Sequence, residues 1–139
     1  ESISTDRGRN WSSFTASSLV DQGASFFMMR LKSGNLLFVK QVPDEMNDCN
    51  LTLKVFISSD DGKTWSGGLP LDERTDVSHP DGIQAEDPLF YCCGRIHIIY
   101  DYLQNNEQKI LLTSFKENDV LNFNPEIFLH LTVSNLTVK

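Results

Sequence analysis

The sequence predicts an all-β protein, and three observations carry that expectation. Apolar and polar residues alternate with period 2 along several short segments. Turn-forming residues punctuate those segments at close intervals. An eight-residue pattern occurs twice, starting at Ser4 and at Ser58, 54 residues apart (58 minus 4). Short strands with close turns leave sandwich, barrel and propeller open. A repeat about one four-stranded blade long selects the β-propeller.

Each element has its own signal. Ala24–Leu31 and Asn35–Val42 are apolar runs separated by Lys32-Ser33-Gly34. They read as a hairpin, with Gly34 free to adopt the positive φ of the turn. Phe26, Phe27, Met28 and Met29 within it are expected in the core. Pro43–Asn50 is polar and reads as a loop. Leu51, Leu53, Val55 and Ile57 alternate with Thr52, Lys54, Phe56 and Ser58, which marks a strand. Asp72–Ala85 contains Pro80 and Gly82 and reads as a second, longer loop. Arg95–Tyr102 alternates again, and Lys109–Phe115 is a further strand. Glu117–Leu121 reads as a short helical turn, and Ile127–Val133 as a last strand.

The repeat has a mechanical reason. Ser4-Thr5-Asp6-Arg7-Gly8-Arg9-Asn10-Trp11 and Ser58-Ser59-Asp60-Asp61-Gly62-Lys63-Thr64-Trp65 share the pattern S-x-D-x-G-x-[TN]-W. The Asp carboxylate can accept bonds from backbone N–H groups of its own turn. The Gly supplies a positive φ, and the Trp ring folds back to bury a large area.

Composition narrows the partners. A net charge of −7 argues against nucleic acid, which requires a basic surface. It equally argues against an acidic membrane surface. No apolar run approaches the roughly 18 residues of a membrane span. The chain opens on Glu1-Ser2-Ile3-Ser4, with neither an initiator Met nor a signal peptide, as expected of a processed or excised piece. Cys49, Cys92 and Cys93 form an odd set without metal-ligand spacing and read as buried thiols. Sequons begin at Asn10, Asn50 and Asn135.

The two octapeptides resemble the Asp-box, the repeat of the sialidase (neuraminidase) superfamily. Residues 58–65 match it in full, and residues 4–11 carry Asn10 where Thr is usual. Flanking text is similar to the same superfamily: Arg30-Leu31-Lys32-Ser33-Gly34-Asn35-Leu36-Leu37, Ser78-His79-Pro80-Asp81-Gly82, Ile98-Ile99-Tyr100-Asp101-Tyr102, and Thr113-Ser114-Phe115-Lys116-Glu117-Asn118-Asp119-Val120. The resemblance covers roughly residues 1–121. It implies a six-bladed propeller, of which this chain holds the end of one blade, one full blade and most of a third. Residues 122–139 form a tail without assignment. A whole propeller of this kind needs roughly 300 residues. The chain is therefore expected to be a fragment, with the alternative that its open blade faces pack on other protein chains.

The resemblance implies an exo-α-sialidase type of glycoside hydrolase. Such an enzyme grips the sugar carboxylate with three arginines. It attacks with a Tyr–Glu pair, uses an Asp as acid/base and needs no cofactor. The Asp-boxes are structural and lie on the rim away from the site. Their members are Ser4, Asp6, Gly8 and Trp11 in the first, and Ser58, Asp60, Gly62, Thr64 and Trp65 in the second. Arg7 and Arg9 lie inside the first box and so face the wrong rim.

The candidate catalytic residues are Asp81, His79 and Asp101, with Arg74, Glu73, Arg30 and Tyr100 as substrate contacts. The segment Glu73–Asp81 concentrates titratable groups on a loop, where function commonly sits. Competing readings are a local ion pair for Arg74 with Asp72, Glu73 or Asp76, and solvent-facing ends for Arg30 and Arg95. Tyr91, Tyr100 and Tyr102 are the only tyrosines, and none has a Glu partner in sequence. Two departures from the family pattern stand out. His79 occupies a position that is often Tyr, and no Arg follows Tyr102 within a few residues. Three functions follow: a glycoside hydrolase or part of one, a non-catalytic glycan- or protein-binding propeller, and a structural subunit. The resemblance and the sequons lean towards an extracytoplasmic location.

Overall fold

A computed structural model gives the structure of the chain and describes residues 2–16, 25–44, 47–72, 74, 77–86, 94–104, 107–123 and 129–133. Among these residues it is all-β apart from one helical turn. The elements are β1 (Phe26–Arg30), β2 (Leu36–Asp44), β3 (Asn47–Ser58), β4 (Ser66–Asp72), β5 (Val77–Gln84), β6 (Ile96–Gln104), β7 (Glu107–Phe115), α1 (Glu117–Leu121) and β8 (Leu129–Val133). They form two four-stranded antiparallel sheets, β1-β2-β3-β4 and β5-β6-β7-β8. This is the arrangement of two consecutive propeller blades.

The strands follow their alternation. Leu53, Val55 and Ile57 of β3 and Leu37 and Val39 of β2 turn inwards. They meet Ile96, Ile98 and Tyr100 of β6 and Leu111 and Phe115 of β7 in one core between the sheets. β1 is split by the same rule. Phe27 and Met29 pack on the core, whereas Phe26 and Met28 face outwards, 54% and 38% exposed. The expectation that all four are core residues thus holds for two.

Two expected loops are largely strand. β2 and β3 extend to Asp44 and from Asn47, which leaves a much tighter connection than Pro43–Asn50. β5 occupies most of Asp72–Ala85. Pro80 is accommodated because the register slips between Ser78, opposite Asp101, and Asp81, opposite Ile99. Such a bulge tolerates a residue without an N–H. Sequence patterning also hides β4, whose Ser66-Gly67-Gly68 opening reads as a breaker. Gly67 is required there: at φ 103° a Cβ would meet Val120 Cγ1 at 2.9 Å and Val55 O at 3.1 Å. The missing side chain lets α1 lie directly on β3 and β4.

Strand register sorts the connections into two rims. The β1–β2 turn and residues 59–65 lie at one end, since Arg30 pairs with Leu36, Leu36 with Ser58, and Ile57 with Ser66. Gln84 joins that end by accepting a bond from Lys32 N at 2.7 Å. Glu117 of α1 joins it through Asn35 Nδ2 at 2.6 Å. This is the Asp-box rim. The end of β4, the start of β5, the end of β6 and the start of β7 form the opposite rim, where Val77 pairs with Tyr102 and Tyr102 with Lys109.

Candidate functional site

The opposite rim gathers polar side chains through the β5 bulge. In a regular strand Ser78 and His79 would point to opposite faces. His79 instead adopts φ 49°, a left-handed conformation uncommon for a non-glycine residue. Its backbone N–H is held by Ser25 Oγ at 3.0 Å. As a result both residues reach the carboxylate opposite. Ser78 Oγ donates to Asp101 Oδ1 at 2.6 Å, and His79 Nδ1 lies 3.2 Å from Oδ2. Gln108 Nε2 donates to the same Oδ2 at 2.8 Å from β7. Burial raises the Asp101 pKa, but the bonds from Ser78, Gln108 and His79 outweigh it and hold the group below its ordinary value. Asp101 is therefore an anion at neutral pH. The His79 ring remains 74% exposed.

Behind this cluster lies a second, buried one. Tyr100 is 2% exposed and donates its hydroxyl to Asp72 Oδ2 at 3.0 Å, with Thr113 Oγ1 also at 3.0 Å. Burial, opposed only in part by the bond with Thr113, pushes the Tyr100 phenol up to about 12. Asp72 grips Arg74 through both oxygens: Nε to Oδ1 at 2.8 Å, and Nη2 to Oδ2. Burial works against the Asp72 charge, and the bonds from Arg74 and Tyr100 override it to keep its pKa lowered. The guanidinium also stacks over Tyr102, 4.5 Å from the ring centroid.

The residues singled out from sequence divide accordingly. His79 and Asp101 come together. Arg74 shares their rim but is paired with Asp72, as the competing ion-pair reading has it. Tyr100 faces the interior, with its hydroxyl bonded to Asp72 and Thr113. Arg30 lies on the Asp-box rim, bonded to Asp61 at 2.8 Å and to Gly34 O at 2.8 Å. Arg95 is not merely solvent-facing, because it donates to Ser114 Oγ at 2.7 Å on that same rim. Asp81 accepts from Gly82 N at 2.7 Å and lines a separate apolar groove with Ile83, His97, Ile99 and Leu112. Glu73, Cys92, Cys93 and Asn135 lie outside the described residues, as do the side chains of Cys49 and Asn50.

Sequence reasoning misses Gln108 and Gln41, and names Asp72 only as one of three partners open to Arg74. Gln108 and Gln41 carry no local signal, since only strand pairing brings them to the rim. Asp72 has one: a carboxylate two residues before an Arg.

Both Asp-boxes close as their pattern requires. Ser58 Oγ donates to Asp60 Oδ1 at 2.8 Å, and Gly62 N to Ser58 Oγ at 2.9 Å. Thr64 donates its N–H to Asp60 Oδ1 at 2.8 Å and its hydroxyl to Oδ2 at 2.7 Å. The first box repeats these bonds around Asp6, with Asn10 Nδ2 replacing the hydroxyl at 2.5 Å. Comparison with protein families agrees: the family model described as the BNR repeat-like domain matches residues 1–98. The chain belongs to the BNR repeat-like family. That bears out the sialidase-superfamily resemblance at the level of family and fold. Searches of curated proteins and of solved structures gave no match. In this BNR repeat-like chain the second Asp-box and the Ser78–His79–Asp101 cluster occupy opposite rims. Among the described residues no helix is long and apolar enough to cross a membrane.

Proposed function

We propose that the chain is a sialidase-like glycoside hydrolase, or part of one, that acts on glycan-linked sugars with His79 and Asp101 as its reacting pair. One observation carries this reading: the β5 bulge turns His79 onto the ionised Asp101 carboxylate, on the rim opposite the second Asp-box. The carboxylate favours the imidazole tautomer that carries its proton on Nδ1. Nε2 is then the basic position available to a water or a glycosidic oxygen. Ser78 and Gln108 hold the carboxylate in place. Asp81, next on the same strand beyond the bulge, is a second exposed carboxylate on the outer face.

The test is turnover of fluorogenic α-sialosides and of neutral aryl glycosides by the purified chain. His79→Ala and Asp101→Asn are expected to lower kcat by roughly 10²–10⁴, the usual worth of a positioned acid/base. Wild-type rates in both variants, or no turnover of any glycoside, would overturn the hydrolase reading.

A second reading, glycan binding without cleavage, is favoured by the state of Arg74. Arg30 and Arg95 lie on the other rim, and Arg74, on this one, is held bidentate by Asp72. A sugar bound without turnover, whose affinity falls in Gln108→Leu, would establish it.

A further inference from the structure

We propose that the cavity beside Asp101 accepts an uncharged sugar residue and discriminates against sialic acid and other carboxylate sugars. The inference deepens the glycan-handling reading above and rests on it. The cavity has a volume of about 460 Å³ and is lined by Gln41, Val77, Ser78, Asp101, Leu103 and Gln108. That lies within the ~300–1,000 Å³ of small-molecule sites. Its polar lining offers amides, one hydroxyl and one carboxylate, and its apolar lining comes from Val77 and Leu103. A pyranose ring presents matching surfaces: hydroxyls at its edge and C–H groups on its faces.

Charge decides against an acidic sugar. The charged member of the lining is Asp101, held ionised by three neighbours. A ligand carboxylate entering here meets like charge, which is the main way a site rejects a close analogue. The nearby arginine and His79 are already committed. Arg74 is neutralised by Asp72, and any positive charge on His79 is matched by Asp101 itself. Arg30 and Arg95 are fixed on the Asp-box rim, and Arg7 and Arg9 belong to the first Asp-box. The arginine cluster that an anionic sugar requires is thus not assembled from this chain's arginines. Gln41 is fixed by donating Nε2 to Val77 O, so its amide forms part of the cavity wall rather than a free arm. Gln108 and Ser78 are similarly oriented by their bonds to Asp101. A wall whose polar groups are already positioned loses little freedom when a ligand binds.

The experiment is saturation-transfer NMR and titration calorimetry on the purified chain. The probes are methyl β-galactoside, methyl β-glucoside, methyl α-mannoside and the methyl α-glycoside of N-acetylneuraminic acid. At least one neutral glycoside is expected to bind, with affinity lowered tenfold or more in Gln108→Leu and in Ser78→Ala. Circular dichroism of each variant separates lost binding from lost folding. The sialoside is expected to bind at least tenfold more weakly than that neutral sugar. Equal or tighter sialoside binding overturns the proposal, and so does binding of none of the four. A neutral sugar bound but left uncleaved in its aryl glycoside form sinks the hydrolase reading and leaves this one standing. Sialoside cleavage abolished by Asp101→Asn does the reverse.

Discussion

The two Asp-box turns share one set of internal bonds but differ in what lies beneath them. In both, a Ser hydroxyl, a carboxylate and a glycine N–H close a loop of the same shape. The residue before each glycine takes the left-handed conformation, Arg7 at φ 62° and Asp61 at φ 58°, and the glycines follow at 82° and 87°. The tryptophans then part company. Trp65 is half-buried and packs on Phe38 with ring centroids 5.2 Å apart. Its Nε1 is buried with no hydrogen-bond partner among the described residues. Trp11 is 64% exposed and donates Nε1 to Gly8 O at 3.1 Å. The turn is a local object that forms wherever its eight residues occur. The anchorage is tertiary and depends on a sheet being present under the ring. Half-burial of a Trp ring contributes about 2–3 kcal/mol at ~25 cal/mol per Å². An unpaired buried N–H costs about 1–3 kcal/mol. The terms are of similar size, so Trp65 is held at Phe38 largely because the turn already aims it there.

The largest expected effect separates the two tryptophans. Trp65→Ala should lower unfolding free energy by about 2 kcal/mol, less than the ~3–5 kcal/mol of a fully buried Trp. Trp11→Ala should stay within about 0.5 kcal/mol, as for a surface substitution. Denaturant titration of both decides it, and equal losses would mean that the first box is anchored as firmly as the second. A smaller difference is expected from the glycines. Gly62→Ala forces an Ala into the left-handed region at a cost of about 1–2 kcal/mol. The new Cβ itself meets only ordinary contacts, Trp65 Cζ2 at 3.6 Å and Leu36 Cδ1 at 3.7 Å. Gly8→Ala should open its own turn, visible as faster amide exchange of residues 8–12, with the denaturation midpoint unchanged. A shared fall in midpoint would break the contrast.

Least separated should be the acid response. For Asp60 the bonds from Thr64 hydroxyl and N–H come first in lowering its pKa to about 2; for Asp6 those from Asn10 do the same. A folded value below the ordinary 3.8 means that each turn's contribution is complete above about pH 4. It is lost as pH falls through about 2. Carboxyl ¹³C shifts should therefore give both groups midpoints near 2. A midpoint near 4 for Asp6 alone would show that the first turn is not closed in solution.

The contrast also explains what was legible in the sequence. Both boxes could be read because all their bonds lie within the octapeptide. The strand at 51–58 was equally plain, since its alternation is local. β4 was hidden because Gly67 and Gly68 answer to Val120, Val55 and Phe56, which only the fold brings near. β5 was read as a loop because Pro80 and Gly82 are breakers: the bulge absorbs Pro80, and Gly82 sits in register where a Cβ would meet His97 O at 2.5 Å. Among the site residues, His79 and Asp101 could be proposed as candidates, but their convergence depends on a left-handed φ at His79 that no pattern announces. Arg30 and Tyr100 lie apart from the His79–Asp101 cluster for one reason: residue type says nothing about which rim or face a strand position occupies. Gln108 and Gln41 were invisible on the same ground.

The short reach of the Asp-box bonds has a kinetic consequence. Each links residues no more than four positions apart. Closing so small a loop costs little chain entropy and falls among the fastest events available to a polypeptide, on the order of 10–100 ns for loop contact. The pairing of β5 with β6, by contrast, must span from Val77 to Tyr102. A chain emerging residue by residue can therefore fix the β3–β4 connection before β5 has a partner, so that the slower search for long-range pairing starts from a hairpin whose register is already set.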